Sequence, residues 1–236
     1  MSTARLRAAV TVTVVTAALS GCVGSGPPDR EAAGDALAVV RAPDDGFRGT
    51  LVERPLRRPD LTLPDTSGEP FHLAQRPAGE VTVLFFGYTH CPDVCPTTMA
   101  DLAAARRSLP ADVRERVQVV FVSEDPARDT PAALRDWLDR FDRDFAGLIG
   151  GNAATRRALR HLALSQTKKN TNPSDAISHP PAPDGHTHDH GGHGSYAIEH
   201  PGIVYAFGPG GRTVIYSGGE AVRDYAEDFA VLAGVR

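Results

Sequence analysis

Residues 81–96 read Val81-Thr82-Val83-Leu84-Phe85-Phe86-Gly87-Tyr88-Thr89-His90-Cys91-Pro92-Asp93-Val94-Cys95-Pro96. The first half, residues 81–88, is a nearly unbroken run of apolar and β-branched side chains, the pattern of a strand buried on both faces. Two cysteines four positions apart follow at once. Residues 97–108 then take up helical spacing through Met99 and Leu102 toward Leu109. A buried strand that runs into a helix puts the cysteine pair at the carboxyl end of a central strand, where open α/β sheets carry their sites.

Working downstream, residues 117–122 repeat the buried-strand pattern. Asp129-Thr130-Pro131 marks a helix start, a capping residue followed by proline in the first turn. That helix carries Leu134, Trp137, Leu138 and Phe141, and residues 155–164 fit another. Residues 203–207 are a strand, Gly208-Pro209-Gly210-Gly211 a turn, and residues 212–217 the returning strand of a hairpin. Residues 221–233 form a closing helix with Val222, Tyr225, Phe229 and Leu232 on one side. Upstream, residues 49–52 and 61–63 are short strands, Ser67-Gly68 a turn and Phe71-His72-Leu73 a short extended piece, giving an extra N-terminal β-hairpin. The order predicts an α/β domain over residues 47–236, a central mixed sheet flanked by helices. Residues 165–197 stand apart: rich in Pro, Gly, Asn, Asp and His, they are expected to form a long mobile loop.

The amino end is a targeting signal. Arg5 and Arg7 precede an apolar or small run over residues 8–19, and Leu19-Ser20-Gly21-Cys22 closes it. Small residues directly before a cysteine make residues 1–21 a lipoprotein signal peptide and Cys22 the lipidated residue. Residues 22–46, rich in Gly, Pro, Ala and acid, are expected to be a flexible tether. The domain is therefore expected outside the cytoplasm, on the outer face of the cell membrane, where thiol pairs tend to oxidise. No apolar run approaches the roughly eighteen residues of a membrane-spanning helix. A net charge of -4 lacks the basic stripe of a nucleic-acid-binding protein.

Of three cysteines, Cys22 is assigned to lipid, which leaves Cys91 and Cys95. At a helix start, residues four apart lie about 6 Å apart along the axis, within disulfide range. The helix amino end favours thiolate and is expected to lower the thiol pKa. Pro92 and Pro96 stiffen the turn. A purely structural disulfide is the alternative, but it would close so short a loop that the unfolded chain is little constrained. The pair alone leaves redox exchange and metal binding both open, since thiolates are also soft ligands for Cu(I). A third donor would decide. His90 adjoins Cys91, but neighbouring side chains on a turn point apart, and His72 and His161 read as surface or packing residues. His200 is the best candidate, just after the loop and before the strand at 203–207; an exposed loop-end histidine is its alternative.

Taken together, residues 85–96 closely resemble the signature of the SCO (SenC) proteins, copper chaperones of thioredoxin-like fold implicated in building the copper centre of cytochrome c oxidase. Ser123-Glu124-Asp125-Pro126-Ala127-Arg128-Asp129-Thr130-Pro131 is similar to the family's second block, and Tyr196-Ala197-Ile198-Glu199-His200 to its third. The resemblance covers roughly residue 47 to the end. It implies a thioredoxin-like fold and a copper site of Cys91, Cys95 and His200 that takes Cu(I), with Cu(II) admitted by the nitrogen ligand. Its implied partners are a copper-accepting oxidase subunit or another copper protein, and an exported thiol reductant. Three positions depart from the pattern: Glu124 replaces an apolar or small residue, Glu199 an aspartate, and Pro201-Gly202 a small hydroxyl residue.

Two functions compete. A metallochaperone holds copper on Cys91, Cys95 and His200 and passes it on by ligand exchange. A thiol–disulfide oxidoreductase uses Cys91 and Cys95 as a redox-active pair and has no need of His200. A peroxidase finds no supporting residue. Asp129 is expected to cap its helix, while Asp125 has no assigned role. Separately, His179, His186, His188, His190 and His193 crowd the loop with Asp184 and Asp189. Such a tract can wrap a metal ion, either to feed copper to the cysteine site or adventitiously.

Overall fold

The computed structural model describes residues 46–166, 168–170, 197–199 and 202–235, all within the compact unit Ala36–Arg236. Cys22, the expected signal and tether, the histidine tract and His200 lie outside the described residues.

The strand at the cysteine pair, residues Val81–Gly87 (β4), is preceded by β1 (Thr50–Leu51) and by the hairpin of β2 (Thr62–Pro64) and β3 (Pro70–His72). After it come α1 (Val94–Ser108), α2 (Ala111–Arg114), β5 (Val117–Ser123), α3 (Pro131–Leu138), β6 (Ala146–Ile149) and α4 (Ala153–His161). The chain continues through β7 (Lys168–Asn170), β8 (Ala197–Glu199), β9 (Val204–Phe207), β10 (Thr213–Tyr216) and α5 (Val222–Leu232). Six strands form the central sheet in the order β1-β10-β9-β4-β5-β6. β4, β5 and β6 are parallel, whereas β9, β10 and β1 run antiparallel to their neighbours, so the sheet is mixed as expected.

β4 lies inside the sheet with every residue buried, which explains its unbroken apolar character. Its alternate side chains feed two cores. Val81, Val83 and Phe85 pack with Met99, Leu102, Leu134, Trp137, Tyr225 and Phe229 from α1, α3 and α5. Leu84 and Phe86 pack with Leu61, Leu63 and Leu73 of the hairpin region and Leu159 of α4. Each fully buried side chain of this size contributes about 1.5–3 kcal/mol, so a sheet covered on both faces is the stable arrangement.

The helix starts follow local chemistry. The Thr130 hydroxyl accepts from the Ala133 N–H at 3.2 Å, with Pro131 opening α3. Asn152 caps α4 by accepting from the Thr155 N–H at 3.0 Å. The expectation that Asp129 caps α3 is corrected: the cap is one residue later. Two elements, α2 and β6, were absent from the sequence expectation. β6 reads Ala-Gly-Leu-Ile, too short for a pattern; its Gly147 is demanded by packing, since a Cβ there would stand 2.6 Å from Leu138 Cδ1 of α3. β7 and β8 were also unforeseen: they pair Lys168 with Glu199 and Asn170 with Ala197.

Candidate metal centre

At Gly87, where β4 ends, a Cβ would lie 2.8 Å from the Cys95 sulfur and 3.1 Å from Phe121. The absence of a side chain there makes room for the sulfur. The Gly87 carbonyl accepts the Glu124 N–H at 2.8 Å, joining the ends of β4 and β5. The chain then turns, with the Cys91 N–H donating to the Tyr88 carbonyl at 3.2 Å. α1 begins at Val94, so Cys91 lies in the turn before the helix and Cys95 in its first turn.

The two cysteines are brought together and are unequal. Both are thiols in this structure. The Cys95 N–H, one of the unsatisfied donors of a helix start, points at the Cys91 sulfur at 3.3 Å. Cys91 is half-buried, while Cys95 has no exposed surface. Burial pushes the Cys95 thiol far up and the neighbouring Cys91 thiol pushes the same way; a hydrogen bond with the Tyr88 backbone pulls against them, and Asp129 adds a smaller upward push. The expected lowering by the helix amino end is thus overturned at Cys95: desolvation outweighs it.

Behind the pair sits Asp129, wholly buried. Its carboxylate accepts the Thr89 N–H at 3.1 and 3.3 Å, the Thr89 hydroxyl at 2.5 Å and the Ser123 hydroxyl at 2.6 Å. It therefore ties the loop two residues before Cys91 to the end of β5. His90 Nδ1 stands 3.8 Å from the same carboxylate and 3.0 Å from the Thr89 hydroxyl oxygen. Asp125, also without exposed surface, accepts from Arg128 Nε, and its carbonyl accepts the Asp129 N–H at 2.8 Å. It shapes the loop that presents Asp129. The Arg128 guanidinium lies 5.7 Å from the centre of the Tyr88 ring. Glu124 is buried beside this loop, at the position where the sequence departs from the family pattern.

Sequence reasoning missed Thr89 and Ser123 as partners of Asp129. Thr89 lies within the cysteine motif, but nothing in the pattern of β5 marks Ser123. His72 and His161 are exposed and bonded elsewhere, to the Thr62 hydroxyl at 2.9 Å and to the Arg57 carbonyl at 3.1 Å, as expected of surface residues. Among the described residues, no three His, Cys, Asp or Glu side chains converge as a metal site. Just before β9 the chain passes the start of α1: a Cβ on Gly202 would lie 2.9 Å from Val94 Cγ1. Two soft sulfur donors at one helix start suit Cu(I) over harder ions.

Comparison with known proteins gives a consistent picture. A family model described as SCO1/SenC matches residues 53–182. A protein of Stutzerimonas stutzeri named putative copper-binding protein is 34% identical over 161 residues, 68% of this chain and 69% of its own length. Protein SCO2 of yeast mitochondria (Saccharomyces cerevisiae) is 38% identical over 90 residues, 38% of this chain but only 30% of that protein. Among solved structures, apo Sco1 of Thermus thermophilus superposes with a TM-score of 0.62 at 33% identity, covering 79% of this chain and 96% of that one. Copper-bound ScoI of Bradyrhizobium japonicum gives 0.54 at 28% identity, covering 73% and 96%.

Proposed function

The chain belongs to the SCO1/SenC family, and from that premise we propose that it is a membrane-anchored, extracytoplasmic copper metallochaperone. In this account Cys91, Cys95 and His200 bind copper, and the protein delivers it for assembly of the copper centre of cytochrome c oxidase, the target that the family resemblance implies. Cys22 carries the lipid, residues 22–46 form the tether, and residues 47–236 the working domain.

The observation that carries the reading is the thiol pair itself: two sulfurs at one helix start, one half-buried and one buried, at the carboxyl end of a central strand. Copper binding requires thiolates, so loading displaces their protons. Chain geometry supports His200 as third ligand. Gly202 abuts Val94 between the cysteines, and two trans peptide links span at most about 7.6 Å. X-ray absorption on the Cu(I)-loaded full chain tests the ligand set. Two sulfurs and one nitrogen are expected, with the nitrogen lost in His200→Ala; a copper shell without sulfur would refute the site.

The unequal burial of the pair also favours a second reading, a thiol–disulfide oxidoreductase. The accessible Cys91 would attack a target disulfide and Cys95 would resolve the mixed disulfide. The same chemistry can prepare a recipient's cysteines for copper, so the two activities are compatible.

A further inference from the structure

At the opposite end of the sheet from the cysteines, the described residues surround an open cleft of about 480 Å³, the size of an ordinary small-molecule site. Leu56, Arg57 and Arg58 form one wall, Ala74 and Ala78 another, and residues 207–211 the third. The strand register places it. Phe207 pairs with Thr82 near the amino end of β4, whereas the cysteines follow its carboxyl end. Five residues of strand, about 17 Å, separate Thr82 from Gly87. The 207–211 turn closes on the first wall, since a Cβ on Gly211 would lie 3.2 Å from Pro55 Cβ. A Cβ on Gly210 would meet nothing within 4 Å, so that part of the turn leaves room.

The two arginines are short of negative charge. Arg58 is half-buried. Its Nη1 donates to the Thr82 hydroxyl at 2.9 Å and its Nη2 to the Pro77 carbonyl at 3.4 Å, both neutral acceptors. Glu80, the acid of this network, is already engaged. It accepts from Arg76 Nη2 at 2.6 Å, from Arg76 Nε at 3.1 Å and from the Thr82 hydroxyl at 2.8 Å. Among the described residues neither Arg57 nor Arg58 forms an ion pair, and the Arg57 guanidinium donates no hydrogen bond. Burial pushes the Arg58 guanidinium down from its ordinary value; Glu80 pulls it back and Arg76 adds to the lowering. A charge taken partly out of water without a paired anion is costly. A guanidinium fork is shaped to receive anionic oxygens in two parallel bonds. The chain as a whole carries -4, so its bulk charge does not attract anions; the attraction is local to the cleft.

We propose that this cleft binds an organic phosphate, a phosphate monoester carried on an apolar body. The Arg57 and Arg58 guanidiniums take the phosphate oxygens, and Leu56, Ala74, Ala78 and Pro209 line the space for the apolar part. Two cations match the dianion of a monoester, where a carboxylate would leave one of them unpaired. The site is separate from the copper reading, since it lies at the other end of β4 and uses neither cysteine. A soluble phosphate ester and a lipid phosphate headgroup share this chemistry.

Calorimetric titration of the reduced full chain tests it, with phenyl phosphate as probe and inorganic phosphate and benzyl alcohol as references. One equivalent of phenyl phosphate is expected to bind about fivefold or more tighter than inorganic phosphate, the gain from covering its ring. Benzyl alcohol should not saturate. Arg57→Gln and Arg58→Gln should each weaken phenyl phosphate about tenfold, the loss of one charged hydrogen-bonding partner. Arg57 is exposed, so its variant keeps the test decisive if Arg58→Gln unfolds. Ala78→Trp fills the cleft with both cations kept and should abolish binding. Dihexanoylphosphatidic acid, below its micelle concentration, assigns the source. Binding tighter than phenyl phosphate supports the site as one for a lipid headgroup, and weaker binding supports it as one for a soluble ester. The proposal is overturned if phenyl phosphate does not saturate, if inorganic phosphate binds as tightly, or if both arginine variants bind like wild type. Undiminished binding in Ala78→Trp would put the anion outside the cleft and overturn it too. Cu(I) binding on the same samples should be unchanged by all three substitutions. Wild type that fails to bind copper while still binding phenyl phosphate refutes the chaperone reading alone.

Discussion

Asp129 draws its importance from what it holds. Four hydrogen bonds, all from Thr89 and Ser123, converge on a carboxylate with no exposed surface. Asp129→Ala leaves one backbone N–H and two hydroxyls without that acceptor. With each orphaned donor costing about 1–3 kcal/mol, offset in part because hydroxyls can turn to other partners and the acid is no longer buried, it is expected to lower stability by about 2–4 kcal/mol in denaturant unfolding and to weaken Cu(I) binding. Thr130→Ala, which removes the α3 cap at a cost of about 1 kcal/mol, should lower stability and leave copper binding unchanged. Equal effects on binding from both variants would reduce Asp129 to a structural residue. The cysteines differ at the same scale. Cys91 is reachable, whereas Cys95 is buried and its thiol is pushed up. Iodoacetamide at neutral pH should alkylate Cys91 well before Cys95, as followed by peptide mapping; labelling at equal rates contradicts the asymmetry. The cysteines and the acids of the second block were legible in the sequence because their residue types and spacing are distinctive. The burial of Cys95 and the partners of Asp129 were not, because they depend on Gly87, Thr89 and Ser123 meeting across two parallel strands.

Among the elements, α5 carries a clamp on the start of the domain. The buried Asp228 carboxylate accepts the N–H groups of Arg48 at 2.8 Å and Gly49 at 2.9 Å and the Tyr216 hydroxyl at 3.0 Å. Asp228→Ala orphans all three donors and should cost about 2–4 kcal/mol. Burial raises the Asp228 carboxyl, against the pull of those donors. A carboxyl raised in the fold binds its proton more tightly there than in the unfolded chain. Its contribution to stability is therefore largest below the unfolded value of about 3.9 and is lost as pH rises through the raised folded value. Wild type should show this downward component as pH rises above the unfolded carboxyl value in thermal unfolding, and Asp228→Ala should lack it; identical pH profiles would contradict the assignment. Elements with strong periodicity, β4, β5, α3 and α5, were foreseen within a few residues. β6 and the β7–β8 pair were not, since strands of three or four residues carry too little pattern, and the pairing of residues 168–170 with 197–199 spans a long sequence separation.

Across the whole molecule, the mixed sheet with a core on each face accounts for the position of the site. β4 and β5 are buried on both faces, and their carboxyl ends meet where Gly87 receives the Glu124 N–H. The cysteine loop and the Asp129 loop leave the sheet side by side from that junction. This much follows from the order of strands and helices, which the sequence displays plainly. The third donor is different: His200 stands more than a hundred positions from the cysteines, and residue spacing alone left it open. The central claim is copper coordination by Cys91, Cys95 and His200. Its most direct test is anaerobic Cu(I) competition titration of the reduced protein in a background lacking residues 186–193, comparing the parent, Cys91→Ser/Cys95→Ser and His200→Ala. The account predicts one tightly bound equivalent, abolished by the cysteine substitutions and sharply weakened by His200→Ala. Copper affinity indifferent to His200, in a protein whose pair still reduces disulfides, would contradict it and leave a thiol–disulfide oxidoreductase in its place.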